Sequence, residues 1–179
     1  ELEPVERVNC NVKQEGFSQY FYQDDIRTIE QYELDFILRM GFGIIRGEIL
    51  EIPEYGIWSF HHDDERKYRG GPHGFWEIYN DDPINGAILQ RLTDRLDGGI
   101  ILKRGFFETK PTYPDNVNHI LYGTAEWPAQ VAIDIINENA DYLNQPPTTS
   151  DAPIYRSPSP IQILRYCIKR RKSQALSYL

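Results

Sequence analysis

The sequence predicts an α/β domain. Short apolar runs at Leu34 to Met40, Gly56 to Phe60, Ala87 to Leu92 and Gly99 to Thr109 have the length and the β-branched or aromatic content of strands. Stretches of helical periodicity alternate with them. A helix-length connection separates the first two runs, which predicts that they lie adjacent and parallel in one sheet. At 179 residues the chain can bury a real core.

Taken in order, Val5 to Val12 alternates apolar and polar residues weakly, as a strand would. Ile26 and Ile29 recur at helical spacing after the acidic pair Asp24-Asp25, which predicts a short helix over Asp24 to Tyr32. Gly41-Phe42-Gly43 reads as the turn after the first strong strand, Ile44 to Leu50 as the start of a helix stopped by Pro53, and Pro72 to Asn80 as a helix with proline in its first turn. Asn85-Gly86 is a turn signal. Trp127 to Leu143 carries an amphipathic pattern, Asn144 to Pro160 is a Pro-, Ser- and Thr-rich loop or linker, and Ile161 to Lys172 is a terminal helix with a basic end. That basic end suits either a solvated terminus favoured by the helix dipole or an anionic partner.

Composition narrows the function. Lys plus Arg total 19 against 27 Asp plus Glu, a formal charge of -8, which argues against a broad nucleic-acid surface while leaving room for a local basic patch. Cys10 and Cys167 are far apart with no CxxC pattern, so two free or buried thiols are expected rather than a zinc knuckle or a disulfide framework. No apolar stretch reaches membrane-spanning length and Glu1 to Pro4 lacks a signal pattern, so a cytoplasmic protein with no membrane partner is expected.

The polar chemistry is concentrated between Gly56 and Lys103. The strand Gly56 to Phe60 runs into His61 and His62, delivering imidazoles to its carboxyl end, where ligands bind in open α/β sheets. Residue alternation puts Ser59 and His61 on one face and His62 on the other. Leu96-Asp97-Gly98-Gly99 follows, a carboxylate on a glycine turn before the next strand. If Pro72 to Asn80 is a crossover helix, Thr93 to Gly99 lies at the same sheet edge as His61, and Ser59, His61 and Asp97 converge on one cleft. The run His61-His62-Asp63-Asp64-Glu65 invites a metal, but consecutive residues rarely all face one ion and no spaced partner completes a set; no metal is expected. Arg66, Lys67 and Arg69 either hold a substrate phosphate or carboxylate or form a solvated segment balanced by Asp63 and Asp64. His73 and His119 read equally well as packing or surface residues.

These motifs together resemble the folate-dependent formyltransferase family. Ser59-Phe60-His61 corresponds to its Asn-x-His strand end, Lys67 to Gly70 to its basic Tyr/Pro-Gly segment, Pro72 to Tyr79 to its helix, Leu96 to Gly99 to its Leu-Asp-x-Gly loop, and Leu34 to Ile45 to its strand and loop over the pterin. The resemblance implies a mostly parallel, doubly wound, Rossmann-like sheet, with 1–143 the catalytic domain. The family's first strand, helix and strand have too few residues ahead of Leu34 to be supplied here. It further implies transfer of a formyl group from 10-formyltetrahydrofolate to a primary amine of a small substrate. The basic segment suits a phosphorylated or nucleotide-linked amino sugar better than tRNA. His61 and Asp97 would carry the catalysis with Ser59, which stands where the family usually has Asn and offers one donor fewer. Met40, Gly41, Phe42, Gly43, Ile44, Leu96 and Gly98 would bind the folate, and His62, Arg66 and Arg69 the substrate. The competing expectations are a formyltetrahydrofolate hydrolase using the same His and Asp, and a non-catalytic module, for which the tyrosines and tryptophans suit carbohydrate as well as they suit a core.

Overall fold

The computed structural model describes residues 6–95 and 98–176, the last six as backbone. Residues 6–11 have no regular structure, and the first strand begins where the weak alternation was expected to end. β1 (Val12–Glu15) and β2 (Ser18–Phe21) form an antiparallel hairpin. The helix α1 (Gln23–Glu30) buries Ile26 and starts with Asp24 and Asp25, as the dipole favours. β3 (Ile37–Arg39) follows. The expected helix at Ile44 begins instead as β4 (Ile44–Arg46), because these β-branched residues pair in parallel with β2. Helical structure is delayed to a 3-10 turn over Glu48–Glu51, which buries Ile49 and Leu50.

β5 (Ile57–His61) lies beside β3 and parallel to it, with Arg39 opposite Ser59. After the short β6 (Arg69–Gly70) and α2 (Phe75–Tyr79), β7 (Ile84–Arg91) returns along the other edge of β5, and β8 (Ile100–Glu108) pairs with β7. Both of these pairings are antiparallel, so the sheet β3-β5-β7-β8 is mixed rather than mostly parallel. α2 is too short to be the crossover helix expected of Pro72 to Asn80: at about 1.5 Å per residue its five residues span roughly 7.5 Å, less than half of the roughly 16 Å run of β5.

Asn85-Gly86 lies inside β7 and makes no turn there. Asn85 is fully buried, with its side-chain nitrogen donating to the carbonyls of His62 and Gly86, so its partners inside the core replace the water a turn residue would use. Gly86 lets the chain at Asp64 cross close by: a Cβ there would lie 2.7 to 2.9 Å from Asp64 Cβ, Cα and N.

α3 (Tyr113–Thr124) fills a stretch in which no helix was expected, although Thr112 caps it by accepting from the Asp115 amide and Pro114 lies in its first turn. α4 (Trp127–Ile136) ends earlier than its pattern suggested, and a 3-10 turn over Asp141–Asn144 follows. β9 (Ile154–Tyr155) pairs with β6, and α5 (Pro160–Leu176) closes the described chain. Trp58, Ala87, Leu89 and Leu102 pack on one side with Ile120, Trp127 and Val131 of α3 and α4. Ile57 packs on the other with Ile26, Ile45, Ile49 and Leu50. Each leucine, isoleucine or valine buried there contributes about 1.5–3 kcal/mol through its removal from water. Among the described residues no helix is long and apolar enough to cross a membrane.

Replacing Gly86 by Ala must displace the backbone at Asp64, since the overlap is with main-chain atoms and not a flexible tip. Overpacking of this kind costs roughly 1–3 kcal/mol. The urea midpoint of Gly86→Ala should fall accordingly; an unchanged midpoint would show that the two segments are not held this close.

Candidate active site

Alternation along β5 sends Trp58 and Phe60 into the core under α3 and α4 and leaves Ser59 and His61 on the opposite face. Register lines up Arg39, Ser59 and Gln90 across three neighbouring strands. These residues and His61 line one open cleft, walled by Gly43 to Arg46 on one side and by Leu92, Thr93, Arg95, Gly98 and Gly99 on the other. Because β7 is antiparallel, its end pairs Arg91 with Trp58, so the loop after it leaves at the amino end of β5 and not at the His61 end. It reaches the cleft by folding back. Gly99 permits this, for a Cβ there would lie 2.8 Å from Gln90 Cδ and 2.9 Å from the Arg91 carbonyl. Leu96 and Asp97 lie outside the described residues, while their neighbours Arg95, Gly98 and Gly99 line the cleft.

Ser59 is 2% exposed, and its hydroxyl oxygen accepts from Arg39 Nη1 at 2.9 Å. His61 Nε2 lies 3.2 Å from the carbonyl of Tyr68. A carbonyl only accepts, so Nε2 carries the hydrogen and neutral His61 keeps Nδ1 as its basic nitrogen. A second, smaller cleft shares His61 and Gln90 with Glu65, Arg69, Thr148 and Ser150. The Pro-, Ser- and Thr-rich stretch therefore runs beside the histidine: Ser150 Oγ donates to the Glu65 carbonyl, Thr148 N donates to Gly99, and Arg69 Nη1 donates to the carbonyls of Ser150 and Ala152.

The turn expected to meet folate divides. Gly43 and Ile44 line the Ser59 cleft. Met40 is 74% exposed and, with Phe42, borders a separate apolar hollow next to Phe21, Ile29 and Ile37. Gly41 lines neither cleft nor hollow. Arg39 Nε and Nη2 donate to the Gly43 carbonyl at 3.1 and 2.8 Å, Nη2 also to that of Phe42, and the Gly43 amide donates to Gln19. Those backbone groups are already occupied by protein.

Of the residues expected to hold substrate, Arg69 lines the smaller cleft. His62 faces α3, with Nε2 3.2 Å from Thr124 Oγ1 and its ring stacked on Phe60; burial, reinforced by His73 and His61, lowers its pKa to about 4. Arg66 makes a two-pronged contact with Asp64 at 2.8 and 3.0 Å, and Arg104 does the same with Glu65 at 2.9 and 2.6 Å. Asp64 and Glu65 of the acidic run are therefore engaged by guanidinium groups.

A buried polar network behind His61 and His62 was missed from the sequence. Asp63 accepts from the Gly74 amide at 2.8 Å, and Glu77 is fully buried beside it. Burial pushes both carboxyls up, and the Asp63 charge pushes Glu77 further, to about 9, so Glu77 is the one that holds a proton, although neither of its carboxyl oxygens has a hydrogen-bond partner among the described residues. Asn116 joins in by donating to the Gly74 carbonyl and to Asn85 Oδ1. The available signal was an acid amid aromatic and apolar residues, Phe75-Trp76-Glu77-Ile78-Tyr79.

No protein-family model matches the chain. It is 32% identical over 82 residues to a methionyl-tRNA formyltransferase of Prochlorococcus marinus, a match covering 45% of this chain and 24% of that protein. It is 31% identical over 87 residues to that of Clostridium tetani, covering 48% and 28%. The chain thus spans about a quarter of the length of the curated relatives it matches. Among solved structures, methionyl-tRNA formyltransferase from Clostridium thermocellum aligns with TM-score 0.57 at 16% identity over 81% of this chain and 66% of that one. HypX from Aquifex aeolicus in complex with tetrahydrofolic acid aligns with TM-score 0.55 at 15% identity over 79% and 26%. The likeness to formyltransferases read from motifs is thereby matched by likeness in sequence and in fold.

The buried pair makes stability fall with rising pH. Glu77 keeps its proton in the folded chain up to about 9 and loses it in the unfolded chain near its ordinary 4.5, so the unfolded state binds fewer protons throughout that window. His62 acts oppositely, but only between about 4 and its ordinary 6.5. From pH 7 to 9 the carboxyl acts unopposed by His62, with a slope of up to about 1.4 kcal/mol per pH unit. Urea unfolding should show this decline for the natural chain and a flatter profile for Glu77→Gln; identical profiles would contradict a proton held on buried Glu77.

Proposed function

We propose that this chain, similar to formyltransferases in motif, sequence and fold, transfers a formyl group from 10-formyltetrahydrofolate to a primary amine of a small substrate. The observation that carries this is the convergence of Ser59, His61, Gly43 and Gly98 on one cleft. The family resemblance assigns those four positions to catalysis and folate contact. The cleft fits the donor chemically, since it combines apolar walls from Ile44, Ile45 and Leu92 for a flat ring with polar groups at its floor.

Formyl transfer forms a carbon–nitrogen bond to the incoming amine and breaks the one to the folate nitrogen. The attacking amine must lose a proton, the leaving nitrogen must gain one, and the carbonyl oxygen carries negative charge between. His61 is suited to take the proton at Nδ1, since Nε2 is held as a donor to Tyr68. Ser59 lies two residues before it, on the same face. Phosphorylated or nucleotide-linked amino sugars are the acceptor class we favour, with Arg69 bordering the adjoining cleft and adding positive charge there.

The test is to mix the protein with 10-formyltetrahydrofolate and follow loss of the formyl group with and without a panel of such amines. Amine-dependent loss is expected, and His61→Ala should lower it by roughly 10²-fold or more. Loss of equal rate without amine, yielding formate, would identify a hydrolase instead. No turnover and no donor binding would overturn the reading.

A further inference from the structure

We propose that Arg39 and Ser59 form a single donor pair for a negatively charged oxygen in the cleft, with Arg39 supplying the second donor that a serine lacks. Arg39 sits in β3 directly opposite Ser59, and its side chain lines the cleft beside His61. Its acceptors are the Ser59 hydroxyl and the carbonyls of Phe42 and Gly43, all neutral. Among the described residues it has no carboxylate partner, whereas Arg66, Lys67 and Arg104 each have one. Burial lowers the Arg39 pKa, as expected for a cation held from water without a counter-charge.

The hydrogen-bond inventory shows what remains for a ligand. Four of the five guanidinium N–H groups have protein acceptors, which leaves one on Nη1, the nitrogen already bonded to Ser59. Because Nη1 donates to the Ser59 oxygen, the hydroxyl hydrogen must point elsewhere. The acceptor it has in the protein is the Phe60 carbonyl, at a long 3.4 Å. A polarised O–H and a guanidinium N–H are thus available side by side. Arg46 and Arg95 also line the cleft, Arg46 with its Nη1 3.7 Å from Asp94 Oδ1, and no described residue of the lining is a carboxylate. In formyl transfer that oxygen would be the one that gains charge as the amine adds; this assignment rests on the function proposed above, while the anion site itself does not.

Formate is the probe, because it presents a small charged oxygen pair whether or not the chain turns over a formyl donor. Line broadening of carbon-13 formate, with chloride holding ionic strength constant, should saturate with the natural chain. Loss of one charge-assisted bond should weaken binding about 10- to 100-fold in Arg39→Ala. Ser59→Ala, which leaves the arginine's bonds to the 42–43 turn in place, should weaken it less, and combining both should cost little beyond Arg39→Ala alone. In turnover, Ser59→Ala and Arg39→Lys should lower kcat more than they raise KM for the donor. Saturable formate binding lost in Arg39→Ala, but without formyl turnover by the natural chain, would keep the anion site and reject the function. Turnover with no formate binding, or with binding that neither variant changes, would reject the pair and keep the function.

Discussion

The alternation of side chains along β5 is the constraint on which the rest depends. Trp58 and Phe60 enter the core beneath α3 and α4, Ile57 enters the core formed by α1 and β4, and Ser59 and His61 share the cleft face. A slip of one residue would exchange these assignments, burying the imidazole and exposing the indole. Register is held from both sides, by β3 through Arg39 opposite Ser59 and by β7 through Leu89 opposite Phe60. The packing that stabilises the sheet and the geometry that presents the polar groups are therefore one arrangement.

Behind that face, the network of Asp63, Asn85 and Asn116 joins the segment after β5 to the start of α2, to β7 and to α3. Buried polar groups are costly when unpaired and rigid when satisfied, so this network fixes where the chain goes once it leaves His61. It also turns His62 away: with its carbonyl held by Asn85 and its ring against Thr124, His62 is a packing residue, although it adjoins the histidine of the cleft.

The strands around the cleft were legible because their apolar runs are bounded by clear turn signals, and the parallel pairing of β3 with β5 followed from connection length. Reversal of β7 was not: the pattern of Pro72 to Asn80 reads as a full crossover helix, whereas α2 begins only after the αL glycine at Gly74 and stops at Asn80. Asn85-Gly86 misled for a related reason. Its local preference is for a turn, and tertiary partners for the asparagine together with close passage of Asp64 override it. In the candidate site, the histidine was read from its strand-end position and the serine from the family resemblance, but Arg39 was not, since a single arginine within an apolar strand stands out only when the register sets it opposite Ser59.

A crystal structure with 5-formyltetrahydrofolate, a stable isomer of the proposed donor, tests the central claim most directly. Density for the pterin and formyl group between Gly43 and Gly98, with the formyl oxygen within hydrogen-bond reach of the Ser59 hydroxyl and Arg39 Nη1, is the predicted result. Folate bound instead in the hollow beside Met40 and Phe42, or an empty cleft at saturating ligand, would contradict it.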